Sequence, residues 1–363
     1  MIRHWLVLVY CSFAGAQNFP EFAKKAEQAR ESNQVDQAIK LYRECVHLRP
    51  SWAEGWWYLG TLLYDKDSFA DARESLTHFV KIEPQGAPGW ALLGLSEYET
   101  GAYKEALAHL ERSLALDLKG GLKGDPQVSK VARFHAGLLF TYFGQFEMAS
   151  QRYAQLSIQG GDDPAMIVAI GLAVLRMPML PAALPASQRE LVADAGRAVH
   201  DAMARRPADA KREFDGLLAK YPNTPEIHNI YGTYLLEGDP DAAIREWKRE
   251  LEISAKHVPA RLQLAFEYQK RGEAASGLVY AREAVGLEPG SFAAHNALGR
   301  VLVETGELRE GIAELEKSRD LAPDSPETRV ALASAYAKAG RAQDAARERA
   351  EFLRLRKLRE AVE

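Results

Sequence analysis

Residues 53–84 read AEGWWYLGTLLYDKDSFADARESLTHFVKIEP, and residues 87–110 read APGWALLGLSEYETGAYKEALAHL. Trp56, Leu59, Gly60, Ala72, Leu76, Phe79 and Pro84 of the first stretch are answered by Trp90, Leu93, Gly94, Ala106 and Leu110 of the second, a return of about 34 positions. Apolar residues at helical spacing fill one face of each segment, and a Gly or Ala stands where two helices must approach most closely. The first small site recurs along the chain as Ala26, Gly60, Gly94, Gly137, Gly232, Ala265, Gly299 and Ala333. Its partner recurs as Ala38, Ala72, Ala106, Ala149, Gly277, Gly311 and Ala345. Between them Gly101, Gly144, Gly272, Gly306 and Gly340 supply a left-handed turn, and Pro50, Pro84, Pro289 and Pro323 stop the second helix. The unit is a helical hairpin, and the chain repeats it.

This pattern resembles the tetratricopeptide repeat, whose W-x-x-L-G-x-x-Y, A-x-x-x-F and terminal Pro signature is matched best by the units starting at Ala53, Ala87 and Phe292. The expected fold is all-α, an α-solenoid of about nine hairpins stacked near residues 19–52, 53–86, 87–120, 130–163, 191–224, 225–257, 258–291, 292–325 and 326–359. The resemblance implies a right-handed superhelix and a capping helix over Gln343–Arg359. It also implies that the first helix of each hairpin lines a concave groove where partner peptides bind. Carried over by position, that face holds Trp57, Thr61, Tyr64, Leu95, Tyr98, Phe134, Leu138 and Tyr142 in an N-terminal block of residues 17–163. A C-terminal block of residues 191–363 contributes Asn229, Thr233, Phe266, Asn296 and Arg300. The Lys, Arg and Asn clamp with which some members grip a terminal carboxylate is absent from the first unit, which has Ala23 and Glu27 there. Glu54, Asp65 and Glu99 make the N-terminal groove acidic as well as aromatic, so the expected partner is an extended apolar or basic peptide.

Composition agrees with this class. A chain of 363 residues exceeds the roughly 250 to 300 at which one globular core stops growing, which favours two domains or a repeat array. With 46 basic against 50 acidic residues the net charge of −4 gives no field to gather nucleic acid or anionic lipid. The basic start at Arg3 and His4, the apolar Trp5–Phe13 and the small residues Ala14, Gly15 and Ala16 read as an export leader over residues 1–16, cut after Ala16. That reading places the mature chain in the periplasm or outside the cell. The apolar run is about half of the ~20 residues a membrane span needs, and no other segment approaches that length. Removing the leader takes Cys11 and leaves Cys45 alone, so no intramolecular disulfide is expected; Cys45 reads as a buried structural thiol.

Two stretches break the repeat. Lys119–Ser129 carries Gly120, Gly121, Gly124 and Pro126 and reads as a surface loop, since the Lys-Ser/Thr ending of a phosphate loop is missing. Residues 164–190 are the larger break: an apolar helix from Pro164 with Gly171 at its small site is followed by MPMLPAALP at 177–185, where prolines forbid a regular helix. The helix lacks its second half, leaving Ile167, Ile170 and Val174 to be covered. Either the apolar segment folds over it as a patch, or Met177, Met179, Leu180 and Leu184 dock a partner.

No catalytic constellation stands outside the repeat pattern. His228 and His295 occupy the position of Trp56 and Trp90, while His78, His109, His135 and His200 lack metal-ligand spacing. No H-E-x-x-H, G-x-S-x-G or Walker motif occurs, and no cofactor or metal is expected. The C-terminal Arg347, Arg349, Arg354, Arg356, Lys357 and Arg359, interleaved with glutamates, read as a solvated cap. The expected function is that of a non-catalytic adaptor or scaffold for proteins, in the bacterial envelope or outside the cell. A glycan- or lipid-binding solenoid, or an envelope enzyme with its site in the irregular centre, is the alternative.

Overall fold

A computed structural model describes residues 19–120, 126–159 and 162–360, so the leader and part of the glycine-rich connection lie outside the described residues. Among these residues there are α-helices and two short 3-10 turns and no strand. In chain order the helices are α1 (19–31), α2 (Val35–Leu48), α3 (Ala53–Asp65), α4 (Phe69–Ile82), α5 (Ala87–Glu99), α6 (Tyr103–Gly120), α7 (Pro126–Tyr142), α8 (Phe146–Gln159) and α9 (Pro164–Val174). Turns at Pro181–Ala183 and Ala186–Gln188 lead to α10 (Arg189–Met203) and α11 (Pro207–Lys220). Then follow α12 (Ile227–Leu235), α13 (Pro240–Ile253), α14 (Val258–Lys270), α15 (Ala274–Leu287), α16 (Phe292–Thr305), α17 (Leu308–Leu321), α18 (Pro326–Lys338) and α19 (Ala342–Glu360). The chain is an all-α solenoid of helical hairpins with an irregular middle, and it divides into two compact units, Met1–Phe140 and Thr141–Glu363.

Hairpins close as the small residues require. Gly299 and Gly311 face each other across α16 and α17, and a Cβ on either would stand 2.8 Å from the other's carbonyl oxygen. The five turn glycines all adopt positive φ, from +73° to +92°. Asn33, Asp67, Arg176 and Arg205 hold the same conformation without being glycine, which hid those turns from a search for glycine. Proline, Ser or Asp starts many second-unit helices: the Asp239 side chain accepts the Ala242 N–H, Ser291 that of Ala294 and Ser325 that of Thr328.

In unit 1 the core runs through Phe19, Tyr42, Cys45, Leu59, Leu76 and Leu93, all buried. Cys45 is fully buried, and burial pushes its thiol up to about 11. In unit 2 successive clusters follow the hairpins, with Phe214 and Trp247 among the largest buried side chains.

The break after α9 is resolved differently from the sequence expectation. The partner of α9 is α10, not the proline-containing segment: a Cβ on Gly171 would lie 1.9 Å from the Val192 carbonyl oxygen, and one on Gly196 would lie 2.0 Å from that of Ile167. Two glycines thus bring backbone against backbone, and Ile167 and Ile170 are buried at 3% and 0% exposure. Residues 177–185 close the side of the same core, with Leu184 buried and Met177 and Met179 packed against it. The helix α10 also packs on α11, as the sequence pairing of Leu191–Ala204 with Ala210–Lys220 requires.

Candidate protein-binding face

Of the positions carried over for unit 1, Trp57, Thr61, Tyr64, Tyr98 and Phe134 are half-buried, while Leu95 and Leu138 are buried. Each half-exposed ring is propped from behind by another. Trp57 lies 5.2 Å from Phe79, Tyr64 5.3 Å from Phe69, and Tyr98 5.7 Å from Tyr103 and 4.9 Å from His135. Such props fix the rotamers before any partner arrives, which lowers the ordering cost of binding. Burial, with the Glu99 charge nearby, raises the phenol of Tyr64 and pushes that of Tyr98 up to about 12, so both are neutral hydroxyl donors. Glu54, Asp65 and Glu99 stand exposed on the same helices. In unit 2 Tyr142 is 38% exposed against Phe143.

Further along unit 2 the positions diverge. Thr233 is exposed, but its hydroxyl donates to the Asn229 carbonyl one turn back. Asn296 is buried, its amide donated to the Thr328 hydroxyl, so it braces α16 against α18. Phe266 carries the Arg300 guanidinium 5.4 Å above its ring, and burial pulls the Arg300 pKa down. Among the described residues no carboxylate lies within ion-pair distance of Arg300, although the Glu304 charge one turn on acts on it. In the segment weighed as a docking element, Leu184 is committed to the core, and Met177, Met179 and Leu180 are half-buried.

Behind this face lies a feature the repeat pattern concealed. A residue in the first turn of the first helix reaches back to the carbonyl six positions earlier and across to the second helix. Trp56 Nε1 donates to Pro50 at 2.8 Å and its ring stacks on His78 at 4.3 Å. Trp90 donates to Pro84 at 3.0 Å and lies against His109 at 5.0 Å. In unit 2 the same role passes to His and Arg: His228 joins Pro222 and Glu246, Arg261 joins Ala255 and Glu283, His295 joins Pro289 and Glu314, and Arg329 joins Pro323 and Glu348. Each clasp ties the entering loop and both helices of a hairpin. The signal was present in the sequence as Trp, His or Arg at one register, but only the fold shows what the register touches.

A second polar knot holds α8 to α10. His200, fully buried, has Nδ1 3.0 Å from the Ser157 hydroxyl and Nε2 3.4 Å from Asp162, which Arg206 grips at 2.8 Å. Ser157 is itself 1% exposed in the last turn of α8, so its hydroxyl braces the helices rather than facing a substrate. Among the described residues no three His, Cys, Asp or Glu side chains gather as a metal site, and no helix is long and apolar enough to cross a membrane.

Comparison with known proteins follows the same lines. No curated protein matches in sequence. Among solved structures, MamA from Desulfovibrio magneticus RS-1 (residue 41 to its end) is 19% identical with a TM-score of 0.42, over 46% of this chain and 96% of that one. The APC/C hetero-tetramer Cut9-Hcn1 is 13% identical with a TM-score of 0.38, over 93% of this chain and 79% of that one. These likenesses carry no argument about activity. The exported, periplasmic or secreted location expected from residues 1–16 is corrected here. Its leader and cleavage position lie outside the described residues, and the location is not carried further. The tetratricopeptide repeat model matches residues 24–87, 61–119, 202–257, 262–326 and 296–355, skipping the stretch that holds the glycine-rich connection and the α9 break. With the signature residues, the hairpin geometry and this match over more than half of its length in agreement, the chain belongs to the tetratricopeptide repeat family.

Proposed function

We propose that this protein is a non-catalytic scaffold that holds partner proteins by extended segments laid across the first helices of its hairpins. The observation that carries the reading is the set of half-exposed rings of Trp57, Tyr64 and Tyr98 on α3 and α5, each propped by an aromatic side chain behind it. Rigid aromatic anchors beside exposed carboxylates suit a segment that combines aliphatic side chains with Lys or Arg. In unit 2 Arg300 over Phe266 suits an acidic or carbonyl group instead.

Selection of displayed random peptides on the purified chain tests this. Enrichment of extended sequences with basic and aliphatic residues, lost from selections on Trp57→Ala with Tyr98→Ala, is the expected result. Absence of enrichment, or enrichment that ignores both substitutions while the double variant remains folded, removes the proposal.

A further inference from the structure

The clasps of unit 2 differ from one another in one chemical respect. Those at Arg261 and Arg329 are built on guanidinium groups, whose charge is permanent. Those at His228 and His295 are built on imidazole, yet both ring nitrogens meet groups that only accept. At His228, Nε2 lies 3.0 Å from the Pro222 carbonyl and Nδ1 2.6 Å from the Glu246 carboxylate. At His295, Nε2 lies 2.9 Å from the Pro289 carbonyl and Nδ1 2.5 Å from the Glu314 carboxylate. A neutral imidazole has one N–H and satisfies only one of the two acceptors; the imidazolium satisfies both. Among the described residues neither Glu246 nor Glu314 has a Lys or Arg within ion-pair distance.

We propose that His228 is a charged clasp whose deprotonation opens one side of the α12–α13 hairpin, making this part of unit 2 responsive to pH where the arginine clasps are not. The surroundings favour that assignment. From α13 the ring faces Glu246 and, further off, Glu250. Glu226, just before α12, is turned to His257 at 2.9 Å and approached by Arg176 at 3.9 Å. The cation at the end of α11, Lys220, is spent on Glu190 and Asp194. Burial opposes the charge, but the Glu246 hydrogen bond, the Pro222 carbonyl and the two carboxylates outweigh it and raise the His228 pKa above its ordinary value. With the folded value raised, the contribution is complete below the unfolded value of about 6.5 and is lost as pH rises through the folded value. Loss of the proton leaves an imidazole lone pair facing either Glu246 or the Pro222 carbonyl, so the hairpin loses a clasp bond.

The experiment is nitrogen-detected imidazole NMR on the full chain between pH 5.5 and 9, with amide hydrogen exchange of α12 and α13 over the same range. The His228 ring is expected to show the doubly protonated pattern above the pH at which free imidazole side chains have lost it. Exchange in the two helices then accelerates as that pattern disappears, by up to about tenfold for each pH unit of raised pKa. His228→Arg, which copies Arg261 and Arg329, keeps the clasp and removes this acceleration after correction for the intrinsic pH dependence of exchange. A His228 ring that is a single neutral tautomer at pH 6.5 overturns the proposal. So does a His228→Arg chain whose exchange retains the native pH dependence. Should the variant fail to fold, the ring spectrum of the native chain alone decides.

Discussion

Gly171 and Gly196 show how far one residue decides the middle of this chain. Each lies where a side-chain carbon would occupy the space of a carbonyl oxygen on the opposing helix, and backbone cannot rotate away as a side chain can. Gly196→Ala is therefore expected to cost about 3 kcal/mol, at the upper end of overpacking, read as a fall in the urea midpoint of unit 2. A change of under about 0.5 kcal/mol, the size of an inconsequential surface substitution, would mean that the crossing is looser than described. Gly171 was legible as a small site because it falls in register; Gly196 was not, because its helix follows the irregular segment and no period leads to it. Cys45 makes a separate prediction at this scale. With its thiol fully buried and raised to about 11, it should resist a thiol reagent at pH 8 in the folded chain and react only as unit 1 opens. Rapid stoichiometric labelling without unfolding would contradict that.

At the scale of elements, hairpin positions and turn glycines were readable because small residues and left-handed backbone have few substitutes. The clasps were not, because one geometric task is done by Trp, His and Arg, and composition alone does not say that these residues share a job. The same limit applies to the candidate face. Its aromatic positions follow from register, but Leu95, Leu138 and Asn296 share that register and are buried, and only packing separates the two groups. The irregular segment makes an element-scale prediction. Leu184 is 5% exposed and anchors residues 177–185 to the core under α9 and α10, so Leu184→Ala should cost about 2 to 4 kcal/mol in thermal or urea unfolding. An unchanged midpoint would detach the segment from the core and return it to the docking reading.

For the whole molecule, repeat architecture limits how far a disturbance travels. Hairpins bury their apolar faces on neighbours, and each unit carries its own buried clusters. Gly196→Ala is accordingly expected to raise amide exchange in α8 to α11 while leaving α1 to α5 at native rates; equal acceleration throughout would show a single cooperative core. The partner is the least legible part of the chain, since a groove records the shape and charge it offers and not the name of what it holds. The most direct test of the account takes a peptide selected on the native chain and maps its footprint by hydrogen exchange, with its affinity measured for Trp57→Ala and Tyr98→Ala. Protection confined to the first helices α3 and α5, with at least a tenfold loss of affinity in each variant, is the expected result. Protection on the second helices α4 and α6, with affinity unchanged, would contradict it.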